Sequence, residues 1–518
     1  MKKVFIWLIL SILFISACQL FSSFPGQATE PPPTSPPTEE PSPHKPDTPV
    51  EDDKFAIFRD GLIKAQQPLL DNLKDASFYT IEFTIQDDIF NVDGVEEVRY
   101  TNQETVPLDE VHFRLLPNVL NGEMKVASVR VNDQPFEPVY ELQNSLMRVP
   151  LYESLQPGES IDIKIEFSVV VPTDIETNYG ILAYYDGVLT LAHSYPMIAV
   201  YDDEGWNSEI TPPQGDPTYA DASFFVVTVD APGELVLVGA GREVSHEENG
   251  SPAERGNRQI VTYVAGPARD FYLAASADYE VVSQTIGEVT FNSYAPSGME
   301  EGAQRAIDVS IASFDFFGEM YAPYPYTEYD IVATPTYALG IEYPGITAIT
   351  DRIYNVDGSL SGTPNNIMME STVAHEAGHQ WFYNLVGNDQ LDEPWLDESL
   401  TQFVTWQYFA DQHGSGGANG YEQSMRGRWS RVDGQPIPIG MPVSEYEGAA
   451  YSAIIYGRGA FFFEALRDEM GERDFDAFMK DYVISNSWGI GTGENMKELA
   501  EKHCDCDLTD LYEKWVYP

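Results

Sequence analysis

Between Ser160 and Val171 the chain alternates strictly: Ile161, Ile163, Ile165, Phe167, Val169 and Val171 are apolar and their neighbours mostly polar. A period of two places the apolar set on one face of a strand, and Gln156-Pro157-Gly158 supplies a turn before it. Similar runs occur at Ser223–Val229 and Glu234–Val238, with Pro232-Gly233 between them. After a candidate amphipathic helix at Phe55–Leu73, the chain to about residue 270 reads as an antiparallel β region with long polar connections. From about Asp278 the pattern changes. A short β passage and a helix near Glu301–Phe317 lead to the apolar run Tyr329–Pro335. Beyond Asn366 helical spacing dominates, at Ile367–Leu385, Glu393–Asp411, Gly459–Met470 and Glu494–His503. Sheet first and helices afterwards indicate an α+β unit. With 518 residues there is chain for more than one core. The expected organisation is an antiparallel β domain at 54–277 followed by an α+β domain at 278–518.

The first 53 residues break this picture. Lys2 and Lys3 precede an uncharged apolar run from Val4 to Ala17, too short to span a bilayer comfortably and built like an export signal. Ile15-Ser16-Ala17-Cys18 resembles the lipobox of bacterial lipoproteins. That resemblance implies removal of 1–17, lipidation of Cys18 and anchoring to a lipid bilayer at the cell surface or in the periplasm. A secretory signal with an incidental cysteine is the alternative, and it too places the folded part outside the cytoplasm. Residues 18–53 are rich in Pro, Thr, Ser and Glu, the composition of an extended, solvated tether.

Charge removes one class of function. With 82 acidic and 29 basic residues, the formal net charge of −53 repels phosphate and argues against nucleic-acid partners. Besides Cys18 the only cysteines are Cys504 and Cys506. Their one-residue separation makes a relaxed disulfide difficult, so free thiols are expected.

The chemistry concentrates in His375-Glu376-Ala377-Gly378-His379. On a helix, residues four apart lie about 40° apart around the axis and roughly 6 Å along it, so both imidazoles reach one ion. Zinc takes imidazole and carboxylate ligands, and a catalytic site uses three from the protein and leaves one position open. Glu398, eighteen residues after His379 and past a loop at Gly387–Pro394, offers the third on a second helix. Glu376 points off the His–His line, where it can take a proton from the metal's water and return it to a leaving amine. One zinc ion per chain is expected.

The segment His375–Phe403, HEAGHQWFYNLVGNDQLDEPWLDESLTQF, resembles the zinc region of the M1 family of gluzincin metallopeptidases. Leu339-Gly340-Ile341-Glu342-Tyr343-Pro344 is similar to that family's exopeptidase strand. The resemblance assigns Glu342 to the substrate's free α-amine and the backbone at Gly340 to pairing with the peptide. Tyr451 and Tyr456, in AAYSAIIYGRGA, resemble the segment ending in the family's catalytic tyrosine, which makes Tyr456 the donor to the tetrahedral oxyanion. Ser194–Gly205 and Gly266–Ser276 look like the family's β domain, so the likeness runs from about Tyr79 to the C-terminus. It implies a thermolysin-like α+β catalytic domain. Departures are Tyr343 for the usual asparagine, Ile341 for methionine, Arg458 for lysine, and no identifiable second residue for the amine. The sequence stops at Leu511–Pro518, where the family's catalytic domain usually ends. Nothing is left for a helical C-terminal domain, from which a more open cleft is expected.

Three functions compete. An aminopeptidase acting on peptides with a free N-terminus uses every residue named above. An endopeptidase with an open groove uses the same metal and reduces Glu342 to a structural role. A catalytically silent zinc-binding lipoprotein has no need of Glu376.

Overall fold

The computed structural model describes residues 54–517 apart from 211 and 250–256. The expected export segment 1–17, Cys18 and the expected tether 18–53 lie outside the described residues. No helix among the described residues is long and apolar enough to cross a membrane.

The alternation seen in the sequence builds an eight-stranded sheet. Its spatial order is Arg242–Asn249, Arg258–Ala268, Ser223–Pro232, Phe78–Ile85, Asn91–Thr101, Ser160–Val170, Glu123–Val131 and Gln134–Phe136. Along Ser160–Val170 the residues Ile161, Ile163, Ile165, Phe167 and Val169 are all buried, as the period of two requires. The sheet is not wholly antiparallel, because Phe78–Ile85 runs parallel to Ser223–Pro232. A parallel pair needs a long crossover, and here the chain between the two strands supplies it. Two four-stranded sheets and a two-stranded one (Tyr201–Asp202 with Gly205–Trp206) complete the β-rich region. Phe55–Leu73 is not one helix but two short 3-10 turns, Ala56–Gly61 and Gln67–Asp71. Gly61 ends the first, and Pro68 at the start of the second cannot continue a helix.

A five-stranded sheet opens the second half, in the order Tyr279–Ile286, Val289–Pro296, Glu328–Thr334, Ile346–Thr350, Gly340–Tyr343. Helix α1 (Glu300–Met320) connects the parallel strands Val289–Pro296 and Glu328–Thr334. Gly340–Tyr343 is the edge strand, antiparallel to Ile346–Thr350. Helices follow: α2 (Asn365–Gly378), α3 (Leu400–Trp429, broken at Gly414) and shorter ones including Gly459–Met470, Glu472–Asn486, Gly493–Cys504 and Thr509–Trp515. The architecture is thus a β-rich region followed by an α+β domain. The expected helix Ile367–Leu385 stops at Gly378, seven residues short of Leu385, and beyond it the chain turns through Tyr383, whose φ is 144°.

The expectation of free thiols fails. Cys504 and Cys506 form a disulfide with Cα atoms 5.2 Å apart. Asp505 between them adopts the left-handed conformation (φ 49°, ψ 43°), which curls the chain back far enough for the bridge.

Candidate active site

His375 lies in the last turn of α2 and His379 caps it. Glu398 comes from a π-helical turn, Trp395–Ser399, that leads into α3. The three donor atoms converge: His375 Nε2 and His379 Nε2 are 3.2 Å apart, and Glu398 Oε2 lies 3.1 Å from the first and 3.5 Å from the second. Ligands about 2.1 Å from a tetrahedral ion stand about 3.4 Å from one another, so the triangle fits a zinc-sized cation. His379 Nδ1 is 3.0 Å from the Phe382 carbonyl, which can only accept, so Nδ1 carries the hydrogen and Nε2 keeps its lone pair. The early end of α2 is what brings that carbonyl under the ring. Burial holds His375 down to about 4, in the neutral form a metal requires. Burial alone would lower His379 as well, but the Glu342, Glu398 and Glu376 carboxylates around it push it well up.

Glu376 and Glu342 form a second group with His379, their donor atoms within 4.8 Å of one another. Both carboxyls are buried, and burial raises both well above the ordinary range; Glu342 adds to the rise at Glu376. The strand that carries Glu342 touches α2 directly. Gln380 Nε2 donates to the Tyr343 carbonyl (3.0 Å), and the Gly345 N–H donates to Gln380 Oε1 (2.9 Å). At Gly340 a Cβ would stand 2.4 Å from Glu376 Oε1, so only glycine lets the edge strand approach the base this closely.

Tyr456 sits on another π-helical turn, Ile454–Arg458, and its hydroxyl donates to Glu398 Oε1. Ser399 Oγ donates to the Ile455 carbonyl at 2.7 Å and so joins the Glu398 turn to the Tyr456 turn. Such wide turns recur at functional sites. Arg458 plays no part in the cluster. Its guanidinium donates to the carbonyls of Ile437, Lys514 and Trp515 and stacks on the Trp515 ring, tying this turn to the C-terminal helix.

His375, Glu376, His379, Glu398 and Glu342 are all buried. A loop of the β-rich region, residues 212–218, lies against Val443, Tyr446 and Tyr451 and brings Asp216 to Glu398. Arg269, from the same region, donates to the carbonyls of Tyr383 (2.7 Å) and Gly489 (2.6 Å) and fixes the two halves against each other.

Residues 305–515 match the Peptidase family M1 domain. Over that segment the chain is similar to M1 peptidases. Aminopeptidase M1-B of Oryza sativa is 24% identical over 410 residues, covering 75% of this chain and 44% of its own length. Aminopeptidase M1 of Arabidopsis thaliana is 25% identical over 425 residues, with 76% and 46% covered. The chain spans under half the length of these curated relatives. Among solved structures, the M1 zinc metallopeptidase from Deinococcus radiodurans aligns with a TM-score of 0.63 at 19% identity, over 85% of this chain and 94% of that one. A variant of that protein bound to a Tyr-Ser-Ala substrate aligns with a TM-score of 0.60 at 18% identity, over 85% and 94%. At these identities the likeness speaks for the fold.

Beyond the residues chosen from the sequence, the structure brings Asp397, Gln390 and Asp216 to the site. Asp397 is buried beside Glu398 and accepts from Gln390 Nε2 at 2.7 Å; the same amide reaches Glu342 at 3.4 Å. Asp216 comes from outside the matched residues 305–515 altogether. Asp397 had a signal, adjacency to a ligand. Gln390 and Asp216 lie in irregular connections and had none.

Proposed function

We propose that this protein is a zinc-dependent aminopeptidase. The observation that carries the reading is the overlap of two groups on His379: His375, His379 and Glu398 to hold a metal, and Glu342 with Glu376 alongside to meet a substrate. When bound, zinc supplies Lewis acidity toward water and toward the scissile carbonyl. Glu376 takes a proton from the attacking water and returns it to the leaving amine. The Tyr456 hydroxyl, now donating to Glu398, turns to the oxyanion that develops on the carbonyl. The free edge of Gly340–Tyr343 offers unpaired backbone groups to an extended peptide. Glu342 accepts hydrogen bonds from its α-ammonium, a charge-assisted contact that a blocked N-terminus cannot make.

The test compares an aminoacyl reporter with its N-acetylated twin, with and without a chelator. Chelator-sensitive release from the free amine alone is expected. Equal rates on both substrates favour an endopeptidase, and no turnover by zinc-loaded protein favours a silent binder. The enzyme works outside the cytoplasm, tethered through a lipid on Cys18. Lys2-Lys3, the apolar run and Ile15-Ser16-Ala17-Cys18 support this. Fatty-acid labelling that survives Cys18→Ser would refute it.

A further inference from the structure

Glu342 and Glu398 come from separate elements, an edge strand and a π-helical turn. A peptide held by its amine must nevertheless bring its scissile carbonyl to the metal, so the spacing of the two elements has to be fixed. Between them stands Gln390, buried in the loop that joins α2 to the Glu398 turn. Its Nε2 donates to Asp397 Oδ2 at 2.7 Å and to Glu342 Oε1 at 3.4 Å. Asp397 Oδ1 in turn accepts the Glu398 N–H at 2.5 Å. A continuous run of hydrogen bonds thus links Glu342 to the backbone of a metal ligand, and the Gln390 amide is its middle member.

The loop around Gln390 is itself braced. Asp389 Oδ1 accepts the N–H groups of Leu391 (2.9 Å) and Asp392 (3.0 Å), and Asn207 Nδ2 from the β-rich region donates to Asp389 Oδ2 (3.2 Å). The Leu391 carbonyl accepts the Val443 N–H at 2.7 Å. Of the amide's two ends, the donor is the one in use. Gln390 Oε1 is buried and has no hydrogen-bond partner among the described residues. An orphaned buried acceptor costs free energy, which an apolar side chain of the same length would avoid. What the donor end does offsets that cost: Glu342 and Asp397 are both buried, and both accept from one nitrogen instead of facing each other bare.

We propose that Gln390 is a positioning residue whose side-chain amide ties Glu342 to Asp397, and so sets the separation between the carboxyl that meets the substrate and the turn that holds the metal. The inference rests on the aminopeptidase reading and deepens it. Gln390 touches neither the metal nor the reacting atoms; it acts through Glu342.

The experiment uses zinc-loaded full-length protein and its variants Gln390→Met, Gln390→Asn, Glu342→Ala and Glu342→Ala combined with Gln390→Met. Each is assayed on an alanyl reporter and on the propionyl twin that lacks only the amine, with zinc content measured in parallel. Gln390→Met removes the donor at nearly constant length. It is expected to lower kcat/KM on the alanyl reporter by roughly 10-fold, mostly through KM, the worth of one hydrogen bond. Zinc should stay at one per chain, and the propionyl rate should hold. In the Glu342→Ala background the same substitution should change the alanyl kcat/KM by no more than about 2-fold, because the carboxyl it positions is gone. Gln390→Asn keeps the amide but is one carbon too short to span both carboxyls, so it should reproduce the rise in KM. Full activity in Gln390→Asn would mean that polarity suffices without a bridge, and overturns the proposal. A loss of undiminished size in the Glu342→Ala background, or one shared equally by the twins, shows Gln390 acting without Glu342 and overturns it too. So does a Gln390→Met protein that loses its zinc or that matches wild type. All of these failures leave the aminopeptidase reading standing. Wild-type protein that does not distinguish the twins removes that reading and this inference together.

Discussion

The β-rich region and the catalytic domain are stabilised by similar means but place their exceptional residues differently. In the eight-stranded sheet, alternation and backbone ladders run almost without interruption, and the departures are inside the core: Gly94 under the Phe167 ring, and Glu96 fully buried. In the catalytic domain the departures sit at the ends of elements and are where the chemistry is. His379 caps α2, Glu398 and Tyr456 occupy π-helical turns, and Glu342 lies on an edge strand. Regular structure leaves few free groups to aim at a ligand, because its backbone is paired and its side chains are packed. Interrupted structure leaves free groups, and the continuous core beneath holds them in place.

The strongest break in the comparison should come from Glu376→Gln. It keeps the shape and the three ligands, so zinc content and thermal unfolding should match wild type while kcat falls by about 10²–10⁴-fold. Retained turnover would mean that the base is another group.

A matched pair of glycines sharpens the contrast. Gly340→Ala places a Cβ against the Glu376 carboxylate, so it should displace the base and lower kcat by up to about 100-fold. Zinc content should remain unchanged. Gly94→Ala makes the same chemical change under Phe167, where the added carbon would stand 2.2 Å from the ring. Overpacking there should cost about 1–3 kcal/mol of stability and leave kcat alone. Denaturation midpoints and kcat measured on both proteins decide the matter; if both variants lose stability alone, the edge strand is scaffold and not part of the site.

What the sequence revealed follows the same division. Ser160–Val170 was legible to within a residue because burial on one face imposes a period of two, and Gly459–Met470 because burial imposes a helical one. His375, Glu376, His379 and Glu398 were legible because ligand geometry demands fixed spacing. Other features left no such trace. The parallel pairing of Phe78–Ile85 with Ser223–Pro232 depends on a long crossover, which no local pattern records. The π-helical turns differ from α-helix by one residue in hydrogen-bond register, which side-chain pattern barely records. Asp216 reaches the site through tertiary packing alone. The disulfide was misjudged because one left-handed residue, Asp505, changes what a spacing of two permits.

Glu96 offers the smallest effect. It occupies a core-facing position of Asn91–Thr101, and neither of its carboxylate oxygens has a hydrogen-bond partner. Tyr79 and Tyr195 are nearby, but their hydroxyls accept from the N–H groups of Ile198 and Phe271. Burial raises the Glu96 carboxyl well above its ordinary 4.5. The folded state therefore keeps a proton that the unfolded state has released, and stability falls as pH climbs above 4.5 toward the folded value. The group's contribution is whole below the unfolded pKa and is lost as pH rises, at no more than about 1.4 kcal/mol per pH unit. Glu96→Gln removes that titration and leaves the active site untouched. The difference in unfolding free energy between variant and wild type should be small near pH 4 and grow in favour of the variant toward pH 8, with kcat equal throughout. Subtracting the two proteins cancels every other titrating group, including the metal cluster, so a difference that stays flat with pH would show that Glu96 is hydrated. In that case the β-rich core would have an interruption of its own, of the kind the catalytic domain uses for chemistry.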